Sequence, residues 1–146
     1  MLLTVAVGQC VFLRYSCSNI KHTQGRFSLE SIPTLKDVLE AKARISPYIT
    51  RTSLHKHLAL DKLIGADTYV KHENHQLLGA FKVRGGINLL SQMSSEQLRL
   101  GVSTASSGNH GQSIAFAAKL FGAEAHIAVP EGANPGKVDS MRNLGA

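Results

Sequence analysis

The stretch GVSTASSGNHGQSIAFAAKLFGAEAHIAVPEGANPGKVDSMRNLGA, residues 101–146, decides the fold. After Gly101, Val102–Ala105 reads as a short apolar strand, and Ser106–Gly111 as a polar, glycine-containing loop. Ile114–Phe121 is Ala-rich with helical spacing and stops at Gly122. Ala125–Val129 reads as a second strand. Pro135 stands at a first helical position, and a helix runs from there to Leu144. The order strand, helix, strand, helix predicts an α/β fold with a parallel sheet, right-handed crossovers and flanking helices. A further strand should follow such a pattern, so the chain is expected to be incomplete at its C-terminus.

Upstream the signals are also regular. Pro33-Thr34 precedes LKDVLEAKARI, where Leu35, Val38, Leu39 and Ile45 fall near one face and Asp37 lies in the first turn. Pro47 ends that helix. Residues 53–60 read as a second short helix, Gly65 as a turn, and Thr68–His72 as a strand. A helix is expected over Ala80–Leu90 despite Gly85-Gly86, and Ser94 with Gln97 opens another by side-chain capping. Residues 1–29 differ from the rest. They hold Arg14, Lys21 and Arg26 and no acid, and both cysteines, Cys10 and Cys17. They are read as an N-terminal extension outside the core, disordered or wrongly assigned. The missing basic n-region makes a weak signal peptide, and the segment lacks acids as transit peptides do without being rich in Arg, so a targeting peptide and a structural strand stay open as alternatives.

Composition narrows the function. The 146 residues are 43% hydrophobic and 18% charged, enough to build a core and not a disordered chain. No apolar run is long enough to span a membrane. The net charge is +6, yet residues 30–146 carry only +3 of it, with no basic run, no Trp and 5% aromatics. Neither a phosphate-tracking stripe nor a base-stacking surface is visible, so nucleic acid is not the expected partner. The absence of cysteine after Cys17 excludes a disulfide framework in the body and fits a reducing, cytoplasmic location. The seven histidines show no metal-ligand spacing, and His72 and His75 read as surface groups. No metal is expected.

Two constellations carry chemistry. In KHENHQLLGAFKVRGG, residues 71–86, Lys82 stands beside Phe81 and Arg84 at the start of a helix. A helix N-terminus and a cationic neighbour both favour the unprotonated amine, the form that adds to an aldehyde. A lone Phe-Lys pair is more often a solvated surface lysine. In SSGNHGQ, residues 106–112, a glycine-containing loop follows a strand and opens a helix. That is where ligands sit in open parallel sheets, and its free amides suit a carboxylate. The same loop reads equally as an ordinary capped turn. It matches neither a Walker A nor a G-x-G-x-x-G pattern, and no G-x-S-x-G elbow occurs.

Together these motifs resemble the signature of the serine/threonine dehydratases, pyridoxal-5′-phosphate (PLP) enzymes of the tryptophan synthase β-like fold, fold type II. RTSL at Arg51–Leu54, YVKHEN, GAFKVRGG, SSGNHGQ and VPEGANPGKVDSMRNLGA extend the similarity over residues 31–146. His110 after Gly108-Asn109 is similar to the dehydratase branch rather than to the cysteine synthases. That branch includes threonine and serine dehydratases, serine racemase and hydroxyaspartate ammonia-lyases. The resemblance implies that Lys82 is the Schiff-base lysine and that Phe81 packs beside the cofactor. It implies that Asn109 hydrogen-bonds the ring's phenolic oxygen, and that Ser106, Ser107, Gly108, Asn109 and His110 receive the substrate carboxylate. Ser107 matches the second-face base of the racemase. Residues 30–97 would be the N-terminal part of the large PLP-binding domain, and 98–146 the start of the small one.

The resemblance also implies a lyase that converts L-threonine or L-serine to a 2-oxo acid and ammonia, working as a homo-oligomer. Leu77-Leu78 stands where the family usually has Pro-Thr, Ala80 where Ser is commoner, and Ser53 where Pro is usual. The glycine-rich phosphate loop and the residue at the pyridine nitrogen should lie downstream, and neither occurs in these residues. The chain alone is therefore expected to be an inactive N-terminal fragment. Two other classes stay open: a non-catalytic remnant of a truncated reading frame, and a small-molecule binding module without covalent chemistry.

Overall fold

The structure, a computed structural model, describes residues 12–13 and 32–146. Apart from Phe12 and Leu13, the expectations for residues 1–29 lie outside the described residues. Among the described residues there are two sheets. The first has the order β1 (Phe12–Leu13), β4 (Val102–Ala105), β5 (Ala125–Ala128). β4 and β5 run parallel, from Val102 opposite Ala125 to Ala105 opposite Ala128. β1 pairs antiparallel with β4, Phe12 opposite Ser103. The second is an antiparallel pair, β2 (Leu54–Lys56) with β3 (Tyr69–Lys71), in which His55 opposes Val70.

Six helices are described: α1 (Leu35–Ile45), α2 (Leu58–Ile64), α3 (Val83–Leu90), α4 (Ser95–Leu100), α5 (Asn109–Phe121) and α6 (Pro135–Asn143). The cap read at Ser94 and Gln97 forms, and α1 has a second that the sequence reading did not name. Thr34 Oγ1 accepts from the Asp37 amide while the Asp37 carboxylate takes the Thr34 amide, and Ser94 and Gln97 repeat this at α4. Pro47 lies in a 3₁₀ turn, Ser46–Tyr48, that closes α1.

Three expectations change. Residues 53–60 are not one helix: 54–56 form β2, and α2 begins only at Leu58. The apolar positions alone could not reveal that this backbone pairs with 69–71. The helix expected from Ala80 starts at Val83, which leaves Phe81 and Lys82 in a turn. His72 is half-buried, and its ring lies 5.3–5.9 Å from those of His55, His57 and His75.

The core forms between α3, α5 and the parallel strands. Val83, Ile87 and Leu90 of α3 meet Ile114, Ala117 and Ala118 of α5, with Val102 and Ala125 beneath. Alanines on α5 and Gly86 on α3 allow close approach. A Cβ on Gly86 would lie 2.5 Å from the Ser113 carbonyl oxygen. Because α3 starts beside Lys82 and α5 starts at Asn109, this packing sets one constellation against the other. Among the described residues no helix is long and apolar enough to cross a membrane.

Candidate active site

Lys82 is held through its backbone. It occupies the N-cap position of α3 with helical dihedrals, φ −58° and ψ −28°. Its carbonyl accepts a 2.6 Å hydrogen bond from Ser113 Oγ, which is fully buried on α5 and itself accepts from the Gly86 amide at 3.2 Å. The segment before it is clamped. Glu73 takes both Arg84 Nε at 2.7 Å and Arg84 Nη2 at 2.8 Å, and also receives Thr52 Oγ1 at 2.6 Å. Buried Gln76 is tied to both backbone groups of Thr50. Arg84 is thus paired with a carboxylate rather than standing as a bare cation beside Lys82. The Arg84 hydrogen bonds, Thr52 and Lys71 hold the Glu73 carboxyl below its usual range against the opposing effect of burial. The Lys82 ammonium lies 5.7 Å from the centre of the Phe81 ring, and Phe81 is 39% exposed.

The second constellation follows β4. Ser106 anchors it: its amide bonds the Ala128 carbonyl, tying the loop to β5. Its hydroxyl accepts from the amides of Gly108 at 3.3 Å and Gly111 at 3.1 Å. The hydroxyl of Ser106 therefore serves the loop itself. Asn109 and His110 fall within the first turn of α5, not in the loop. The amides of Ser107, Asn109 and His110 meet no acceptor among the described residues, and that turn carries no acid. A Cβ on Gly108 would meet nothing within 4 Å, so the backbone there borders open space. His110 Nε2 is buried without a hydrogen-bond partner among the described residues. Burial first, and the Lys82 charge second, push the His110 imidazole below its ordinary value and favour the neutral ring.

Lys82 thus lies near enough to the start of α5 for its charge to act on His110, and Ser113 ties its backbone to the same helix. Unsatisfied amides, a buried orphan ring nitrogen and a lysine amine are what an anionic aldehyde cofactor and an amino-acid carboxylate require, so the residues present fit PLP. Lys137 Nζ of α6 reaches Asn109 Oδ1 at 2.8 Å, which leaves the Asn109 Nδ2 hydrogens for other acceptors. Among the described residues no three His, Cys, Asp or Glu side chains converge on a metal position.

Sequence reasoning missed the supporting residues: Ser113, Gly86, Glu73, Thr52 and Lys137. Only the Gly85-Gly86 pair inside a helical pattern could have hinted at a close approach.

Known proteins share the sequence and fold around these residues. A family model described as "Pyridoxal-phosphate dependent enzyme" matches residues 45–146. The chain is 41% identical over 113 residues to the L-threonine ammonia-lyase of Thermotoga maritima, covering 77% of this chain and 28% of that protein. It is 44% identical over 115 residues to the L-threo-3-hydroxyaspartate ammonia-lyase of Saccharomyces cerevisiae, covering 79% and 35%. The structure of maize serine racemase superposes with a TM-score of 0.74 at 39% identity, covering 80% of this chain and 35% of that one. The chain therefore spans about a third of the length of the relatives it matches. The matched motifs, the α/β architecture and the lysine-and-loop geometry agree: this chain belongs to the pyridoxal-phosphate-dependent enzymes of fold type II, whose cofactor is PLP.

Proposed function

We propose that these residues form the lysine-bearing, carboxylate-binding part of an ammonia-lyase that converts L-threonine or L-serine to a 2-oxo acid and ammonia. The observation that carries the reading is the open, acid-free N-terminus of α5, with unsatisfied amides at Ser107, Asn109 and His110, set against Lys82 through the Ser113 contact. Bound PLP supplies the electron sink that makes a substrate Cα proton removable. The amides of the loop and the neutral His110 receive the substrate carboxylate and orient the Cα–H bond. The Lys82 amine takes the Cα proton as general base. Asn109, with its Nδ2 hydrogens left over from the Lys137 contact, and Phe81, beside Lys82, would hold the cofactor ring. With the Cα proton gone, the substrate's β-hydroxyl leaves as water, taking the proton that the Lys82 amine holds. The released unsaturated amine then takes up one water and breaks down to ammonia and the 2-oxo acid, 2-oxobutanoate from threonine and pyruvate from serine.

One feature favours a second reading within the family. Ser107 is exposed, and its hydroxyl bonds no described residue. A hydroxyl there is a candidate to return a proton to the opposite face of Cα, as racemisation of serine needs.

The test is chemical. Borohydride reduction of the chain mixed with PLP, followed by peptide mapping, should place the pyridoxyl group on Lys82, and Lys82→Ala should abolish the visible absorbance. Labelling spread over several lysines, or retained in the variant, would remove the assignment. Chiral analysis of product from serine, with Ser107→Ala as control, separates lyase from racemase.

A further inference from the structure

The start of α5 gathers positive charge that its own first turn does not neutralise. A helix N-terminus already carries partial positive charge, and a lysine placed there is unfavourable unless something anionic joins it. Yet Lys137, half-buried in the first turn of α6, extends its ammonium to Asn109 at 2.8 Å, and the first turn of α5 contains no acid to neutralise it. Its position is built in. Asn134 Oδ1 caps α6 by accepting from the Lys137 amide at 3.3 Å, and Pro135 fixes the first turn. Gly111 lets α6 press on α5, since a Cβ there would lie 2.7 Å from Met141 Sδ and 3.1 Å from the Ser106 carbonyl.

The chemistry of the contact has one sense only. An ammonium has three donors and no acceptor, so the amide oxygen of Asn109 must face Lys137 and the Nδ2 hydrogens must face away. We propose that Lys137 is a positioning residue that locks the Asn109 carboxamide with its N–H groups presented to an acceptor on the cofactor, and that its charge helps hold that acceptor ionised. The inference rests on the PLP reading above for the identity of the acceptor. The locking of Asn109 needs no cofactor at all.

Two measurements on the 146-residue chain separate these parts. The first is side-chain ¹⁵N relaxation of the Asn109 carboxamide without PLP. An ordered amide in the wild type, mobile in Lys137→Met and ordered again in Lys137→Arg, supports the lock. Equal order in wild type and Lys137→Met overturns the inference whatever the chain binds. The second is PLP titration followed by the visible band. Lys137→Met and Asn109→Ala should each weaken binding by about two- to tenfold, the worth of one hydrogen bond, and the double variant no further. Fully additive losses overturn the proposal, because Lys137 would then act apart from Asn109. Lys82→Ala serves as the control for the reading beneath it. If that variant keeps the band, the PLP assignment fails, while the relaxation result still decides the lock.

Discussion

The two neighbouring glycines of α3 should respond to alanine in opposite directions. Around Gly85 nothing lies within 4 Å of a new Cβ, so Gly85→Ala gains only helix propensity, about 0.8–1.0 kcal/mol. At Gly86 the same Cβ would meet Ser113 Oγ, and the Ser113 carbonyl oxygen at 2.5 Å and carbonyl carbon at 2.9 Å. Ordinary contact begins near 3.4 Å, so α3 and α5 must separate by about 0.9 Å at that point. Overpacking of this kind costs about 1–3 kcal/mol. Strain on the Gly86 amide and Lys82 carbonyl bonds to Ser113 Oγ adds about 0.5–1.5 kcal/mol for each one lost. With both bonds lost, subtracting the propensity gain leaves Gly86→Ala destabilised by about 1–5 kcal/mol. Urea unfolding followed by circular dichroism reads both variants directly. Two of the three clashing atoms are backbone, so adding Ser113→Ala should not restore Gly86→Ala. Because the same serine holds the Lys82 carbonyl, Gly86→Ala should also slow pyridoxyl labelling of Lys82. Equal stability of the two alanine variants would refute the reasoning, as would full rescue by Ser113→Ala.

Three further outcomes are expected. The Glu73 carboxyl titrates below its ordinary value of 4.5 because of Arg84 and Thr52. Its contribution is therefore complete above that value and is lost as pH falls through the lower folded value; Glu73→Gln should flatten this acid limb of the stability curve. His110 titrates below 6.5 when folded, so between those two values the unfolded chain binds more protons and stability rises with pH. His110→Gln should remove that slope, and an unchanged slope would show that other groups cause it. Since the glycine-rich phosphate loop does not occur in these 146 residues, the purified chain with added PLP should bind it weakly, though still at Lys82, and produce no 2-oxo acid from threonine or serine above background. Stoichiometric PLP binding with steady product formation would overturn that expectation.

The βαβα order of residues 101–146, the helix of 35–45, the cap at Ser94 and Gln97, and the two motifs around Lys82 and Asn109 were legible in the sequence. They rest on local physics: hydrophobic period, side-chain caps, and glycine or proline at element ends. Where a segment's structure depends on a distant partner, local reading failed. Residues 54–56 become a strand because 69–71 lie beside them, and periodicity over 53–60 carries no trace of that pairing. The charge environment of the site was equally hidden. Arg84 looks like a free cation beside Lys82 until the fold brings Glu73 and Thr52 to it. Ser113 and Lys137 are ordinary helix residues by sequence. Only the approach of α3 to α5 through Gly86, and of α6 to α5 through Gly111, turns one into the anchor of the Lys82 backbone and sets the other against Asn109. Sequence alone determined which residues could do chemistry, since that depends on functional groups and their local spacing. Tertiary packing decided their orientation and charge, since hydrogen bonds and electrostatic fields act between groups far apart in the chain.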